Sequence, residues 1–184
     1  MTSDLIRAAV RLLAMGAPVS TAQLADAAGV AVADLADAPA AKDIEYDDEG
    51  RVVGWGLTLI PTRHAFLVDG RELYTWCAAD TLLFPAIIGS RARVESRCPT
   101  TDVVICLTVD PRDGVTDLWP ANAVISIPGD LDAARLRDSC CSPGHFFADA
   151  QAAGDWIAQY PTGTVLPVAD AYPRLQAISD LLFN

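Results

Sequence analysis

Apolar and basic positions alternate at helical spacing over residues 5–14, and Gly16-Ala17-Pro18 closes that stretch. Ser20, with Gln23 three positions on, has the capping-box pattern of a second helix reaching Ala28. Gly29 turns the chain, and a third helix is predicted over 32–38. Three short helices joined in this way have the pattern of a helix-turn-helix bundle. The segment 43–46, the polar turn 47–50 and the apolar run 51–57 then predict a hairpin. Residues 1–60 therefore read as a winged-helix-like N-terminal module, with Pro61 opening a second unit, 61–184.

That second unit alternates between strand and helix patterns. Residues 65–68 read as a strand and Asp69-Gly70 as a tight turn. A helix is predicted over 73–88, kinked at Pro85 and stopped by Gly89. Strands are expected at 91–95, 103–109 and 123–127. A helix is expected over 130–138, a turn at 142–144, and a short apolar segment from His145. An amphipathic helix over 150–159, an extended stretch at 165–168 and a last helix over 169–183 complete the chain. The sum is an α+β fold: a three-helix winged-helix-like module followed by a mixed β-sheet core flanked by helices.

Composition narrows the function. Hydrophobic residues make up 52% of the 184 and charged residues 20%, enough apolar material for a sizeable core. No apolar run approaches the roughly 18–20 residues that span a bilayer, and the first residues lack a signal pattern. These features predict a soluble cytoplasmic protein with no membrane partner. The net charge of −11 disfavours nucleic acid as a partner, because phosphate binding rests on Lys and Arg. Residues 1–50 hold three basic side chains against nine acidic ones, and the third predicted helix carries Asp34 and Asp37 without a cation. The module is thus expected to pack rather than to read DNA. Arg91, Arg93 and Arg97 form the nearest thing to a basic cluster, which a solvated strand face explains.

Five cysteines, two of them adjacent, fit reduced thiols better than a disulfide framework. Cys77 and Asp80 lie three apart, so on the predicted helix they would share a face. Cysteine is often a small core residue, and Cys77 taken alone reads that way. Asp80, set among Ala78, Ala79, Leu82 and Phe84, needs a cap, a partner or a function, since an unpaired buried carboxylate is costly. The pair Cys140-Cys141 sits at a constrained corner before Pro143-Gly144. Cys98 and Cys106 fall in strand patterns and read as structural, and His64 and His145 as hydrogen-bonded structural residues. No Cys-x-x-Cys, phosphate loop or nucleophile elbow is present.

The segment Leu73-Tyr74-Thr75-Trp76-Cys77-Ala78-Ala79-Asp80-Thr81-Leu82-Leu83-Phe84-Pro85-Ala86 resembles the signature of the bacterial organomercurial lyase (alkylmercury lyase) family. So do Gly89 to Cys98, Ser139-Cys140-Cys141 with His145-Phe146-Phe147, and the wing Gly54-Trp55-Gly56-Leu57-Thr58-Leu59. The chain departs from the family in a shorter start, an altered stretch at 33–41 and the added Cys106. The resemblance implies an alkylmercury lyase-like fold and carbon–mercury bond protonolysis of alkyl- and arylmercury compounds in mercury resistance. It places catalysis and mercury binding on Cys77, Asp80 and Cys140, and a structural role on Cys98.

On that reading Cys77 binds mercury first and Cys140 adds a second sulfur, as soft mercury(II) prefers. Asp80 carries protons from thiol to carbon, releasing hydrocarbon and Hg(II). The resemblance further implies no resident cofactor, external small thiols for turnover, and mercuric reductase as acceptor of the product. A monomer or weak homodimer is expected. Two other classes remain open: a non-catalytic mercury or copper store, and a metal-responsive winged-helix regulator. A thiol–disulfide redox protein fits less well, for want of Cys-x-x-Cys.

Overall fold

The computed structural model describes residues 2–38, 41–130, 132 and 135–183. Helix α1 (Thr2–Leu13) buries Leu5, Ala9, Val10 and Leu13. Helix α2 (Thr21–Ala28) begins as expected: the Gln23 amide donates to Ser20 Oγ, and Gln23 Oε1 accepts from the Ser20 amide. Gly29 ends it in the left-handed conformation at φ 68°. The third helix is a correction, for only a 3₁₀ turn forms, Val32–Leu35. Its sole buried residue is Leu35, too little apolar surface to hold a longer helix.

Strand β1 (Glu45–Tyr46) pairs with β2 (Val52–Trp55), which pairs in turn with β3 (Leu57–Thr58). The wing does not stop there. Strand β3 pairs with β5 (Arg71–Thr75), and β5 with β4 (His64–Val68). Strands β6 (Ala92–Arg97), β7 (Val104–Asp110) and β8 (Gly114–Trp119) extend the sheet to eight, in the order β1-β2-β3-β5-β4-β6-β7-β8. The α+β class holds, but each pairing between these strands is antiparallel, where the sequence pointed to a mixed sheet. Hairpins join most of the neighbours, so parallel crossovers are not needed.

Helix α3 (Ala78–Ile88) lies across the sheet. It is mostly apolar and largely buried, with Ala86 exposed. Helix α1 reaches it through Arg11 Nε, which donates to the Ile87 carbonyl at 3.0 Å. Helix α5 (Val168–Phe183) does so through Gln176, whose amide donates to Leu82 O at 2.8 Å. The predicted start of α3 at residue 73 was early, because residues 71–75 form β5. On β6, Ala92, Val94 and Ser96 point inward, while Arg93, Glu95 and Arg97 share the solvated face. Arg97 also pairs with Asp102 there, so the face is not a cationic patch.

A smaller sheet, β10-β9-β11, is made by β9 (Val124–Ile127), β10 (Phe146–Phe147) and β11 (Thr164–Pro167). Between β9 and β10 the chain makes a π-helical turn, Arg137–Cys141, closed by the Ser142 amide donating to Arg137 O at 2.7 Å. The helix expected over 130–138 falls partly outside the described residues. Helix α4 (Gly154–Gln159) is shorter than the 150–159 expected.

Candidate active site

Helix α3 has no Ser, Thr or Asn at its start. Cys77 is the N-cap, in an extended conformation, and Asp80 is the third helical residue. The Cys77 amide donates to Asp80 Oδ2 at 3.2 Å, and the Cys77 sulfur faces the Asp80 amide in a capping box. The two residues therefore meet as cap and countercap, not as neighbours along one helical face. Thr75 Oγ1 donates to the Cys77 carbonyl at 2.9 Å, fixing the strand-to-helix junction from below.

The second segment is held against this junction by its own backbone. The Ala78 amide donates to Gly144 O at 3.1 Å, and the Gly144 amide to Cys141 O at 3.0 Å. Pro143 O accepts from Trp156 Nε1 at 2.7 Å and from Ser126 Oγ at 3.2 Å. Gly144 allows a close approach at this point. A Cβ there would meet Cys140 O at 3.0 Å and Cys77 Cβ at 3.2 Å.

Among the described residues, one compact group of candidate metal ligands forms: Cys77, Asp80 and Cys141, with ligand atoms all within 4.8 Å of one another. Cys140 lies beside the group, half-buried, and shares a hydrogen bond with Cys141. Cys77 is 2% exposed and Cys141 5%. The predicted residues Cys77 and Asp80 are thus brought together. The sulfur completing the tight group is that of Cys141, with Cys140 one step further out. Adjacency to Cys140 was the only hint of Cys141 in the sequence.

Electrostatics divide the three thiols. A hydrogen bond from Cys141 favours the Cys77 thiolate, but burial and the nearby Asp80 and Cys140 charges outweigh it, and the thiol is pushed up to about 11. Cys140 moves down, because the Cys141 thiol donates to it more effectively than burial opposes it. Cys141 is raised, since it donates to both neighbours and is buried. Burial pushes the Asp80 carboxyl up to about 6, against the hydrogen bonds from Cys77. The three thiols are thus driven in different directions, Cys140 towards its thiolate and Cys77 and Cys141 towards their protonated forms, beside a carboxyl group raised towards neutrality.

Trp76, just before Cys77, lies under the Arg137 guanidinium, 4.6 Å from its ring centroid. Arg137 begins the turn that ends at Cys141. The other candidates are not part of this ligand group. His64 stacks on His145 at 6.1 Å, its Nδ1 2.8 Å from Ser96 Oγ. Burial first, then nearby positive charge, lowers the two to about 3 and about 4, so both rings are neutral. Cys98 is buried at the end of β6, and Cys106 stands half-exposed on β7.

A carboxyl group and clustered thiols at a helix N-terminus of an α+β scaffold form a donor set suited to a soft metal ion. Comparison with known proteins agrees. Residues 57–178 match the alkylmercury lyase family model, and residues 1–56 match the helix-turn-helix domain of alkylmercury lyase. The chain belongs to the alkylmercury lyase family. An alkylmercury lyase of Streptomyces lividans is 46% identical over 97% of this chain and 83% of its own length. One from Staphylococcus epidermidis is 43% identical over 91% of this chain and 78% of its own. In fold, the chain is similar to the crystal structure of the mercury-bound form of MerB2, with a TM-score of 0.78 at 23% identity, over 98% of this chain and 91% of that one.

Proposed function

We propose that this protein cleaves the carbon–mercury bond of alkyl- and arylmercury compounds by protonolysis, with Cys77, Asp80 and Cys140 as its catalytic and mercury-binding residues. The observation that carries the reading is the compact group of Cys77, Asp80 and Cys141, with the half-buried Cys140 beside it. Cys140 is the first sulfur to bind, which reverses the order the sequence alone indicated. It is the more exposed thiol, and the hydrogen bond from Cys141 favours its thiolate.

The Cys140 thiolate displaces X⁻ from R–Hg–X and forms a sulfur–mercury bond. Asp80 takes the Cys77 proton, and the Cys77 sulfur becomes the second donor. Two sulfurs push electron density onto the carbon, which then accepts the proton held on Asp80. The carbon–mercury bond breaks, R–H leaves, and Hg(II) remains on two thiolates. Positioning does much of the work, because three groups held in reach replace a multi-body encounter. Small cellular thiols then carry the ion away, in the cytoplasm, towards a mercuric reductase. No resident cofactor takes part. Residues 1–60 form the winged-helix-like module and 61–184 the catalytic core.

The test is hydrocarbon release. Cys77→Ser and Cys140→Ser should each abolish methane from methylmercury and benzene from phenylmercury, measured by gas chromatography with excess small thiol. Near-normal turnover in either variant removes the assignment. A parent protein that binds the organomercurial but releases no hydrocarbon is a store, not a lyase.

A further inference from the structure

The turn bearing Cys140 and Cys141 is gripped by the N-terminal module. Arg137, at the head of that turn, extends its guanidinium to Glu45 on β1, with Nη2 to Oε1 at 2.7 Å. Its backbone amide donates to Asp43 Oδ2 at 3.2 Å. Both partners lie 94 or fewer positions back in the chain, in the wing, which the lyase chemistry above does not use. The same guanidinium covers Trp76, the residue before Cys77. One side chain thus touches the wing and the Cys77 junction while its backbone carries the other two thiols.

Glu45 is prepared for this task. Its side chain is 12% exposed, and its second oxygen accepts from Thr58 Oγ1 at 2.6 Å. Gly54 stands opposite it in the β1–β2 register, and a Cβ there would collide with Glu45 Oε2 and with Thr58. The wing therefore leaves room for a carboxylate aimed out of the sheet at the turn. A solvated ion pair between flexible side chains would need none of this.

We infer that Glu45, supported by Asp43, is a positioning residue: through Arg137 it holds the Cys140–Cys141 turn closed against Cys77 and Asp80. The module then serves as a jamb for the catalytic turn. The inference deepens the lyase reading and rests on it only for its kinetic readout.

Glu45→Gln keeps the shape and the Thr58 bond but removes the charge; Arg137→Gln and the double variant complete a cycle. Each is assayed for benzene release from phenylmercury, and for the rate at which iodoacetamide labels Cys140, followed by mass spectrometry. Both single variants should lose about tenfold in kcat with KM within about twofold, since positioning acts on the bound state. Labelling of Cys140 should rise several-fold while Cys98 stays protected. The double variant should be no worse than the poorer single one. Cys140 labelling within twofold of the parent in Glu45→Gln overturns the inference, as does labelling that rises equally at Cys98. Should Glu45→Gln fail to fold, Asp43→Asn takes its place under the same criteria. Labelling needs no turnover, so a parent that releases no benzene sinks the lyase reading and leaves this test intact.

Discussion

Asp80 has two duties on one carboxylate. It accepts the Cys77 amide as part of a helix cap, and it faces the thiols, where the proposed mechanism makes it their proton carrier. Its pKa of about 6 must be passed for it to accept a proton, so kcat/KM should rise with pH through about 6. A profile flat from pH 5 to 8 would remove Asp80 from the proton path. Stability runs the other way. A raised folded-state pKa means the carboxyl favours folding below its ordinary value of 3.8, and that advantage is lost as pH rises to about 6. Asp80→Asn should therefore melt higher than the parent at pH 7 while releasing no hydrocarbon.

Cys141 makes a second residue-scale case. Cys141→Ser still offers a donor to Cys140 and should keep most of the turnover. Cys141→Ala removes the donor, so Cys140 should titrate higher and turnover at pH 7 should fall below that of Cys141→Ser. Equal rates for the two variants would show that the hydrogen bond is idle. Cys77, Asp80 and the Cys140 corner were legible from residue type and from the resemblance. The place of Cys141 in the tight group was not, because which of two adjacent thiols turns inward depends on the winding of the turn.

At the scale of elements, the decisive boundary is the one between β5 and α3. Leu73, Tyr74 and Trp76 suit a helix or a strand equally by local preference, so the sequence reading ran the helix back to residue 73. Pairing of β5 with both β3 and β4 settles the matter in favour of strand, and no local pattern could report that. The caps, by contrast, were readable: Ser20 with Gln23, and Gly29 and Gly89 as stops. The π-helical turn adds one residue to a helical circuit and so sets which thiol faces Cys77. Its contact with α3 passes through Gly144. Gly144→Ala should push the turn off Cys77, cutting turnover by more than tenfold at a cost of about 1–3 kcal/mol in stability. Circular dichroism melts beside hydrocarbon assays check this. Parent-like turnover would show that the close approach is dispensable.

For the molecule as a whole, two segments 64 positions apart share one candidate metal site, Cys77 through Cys141. Hg(II) bound across them should stabilise the fold by linkage, by about 4 kcal/mol at a thousandfold excess over Kd. In a chain of this size that is roughly ten degrees in Tm. The shift should vanish in Cys77→Ser, and its persistence there would place the ion elsewhere. Class and the acidic character of the wing were open to inference from pattern and charge, whereas β5, read as helix, and β8, where no strand was expected, were not. The eight-stranded continuity was not, since it depends on β3 joining β5 across the predicted boundary at residue 60.

That continuity has a practical consequence for anyone trimming the chain. Removing the first 60 residues would strip β3 from β5 and lay bare a row of backbone donors and acceptors along a strand whose Leu73 and Thr75 are buried. Such a fragment would offer a sticky rim to its own copies, and clumping rather than mere loss of activity should be the first sign of the cut.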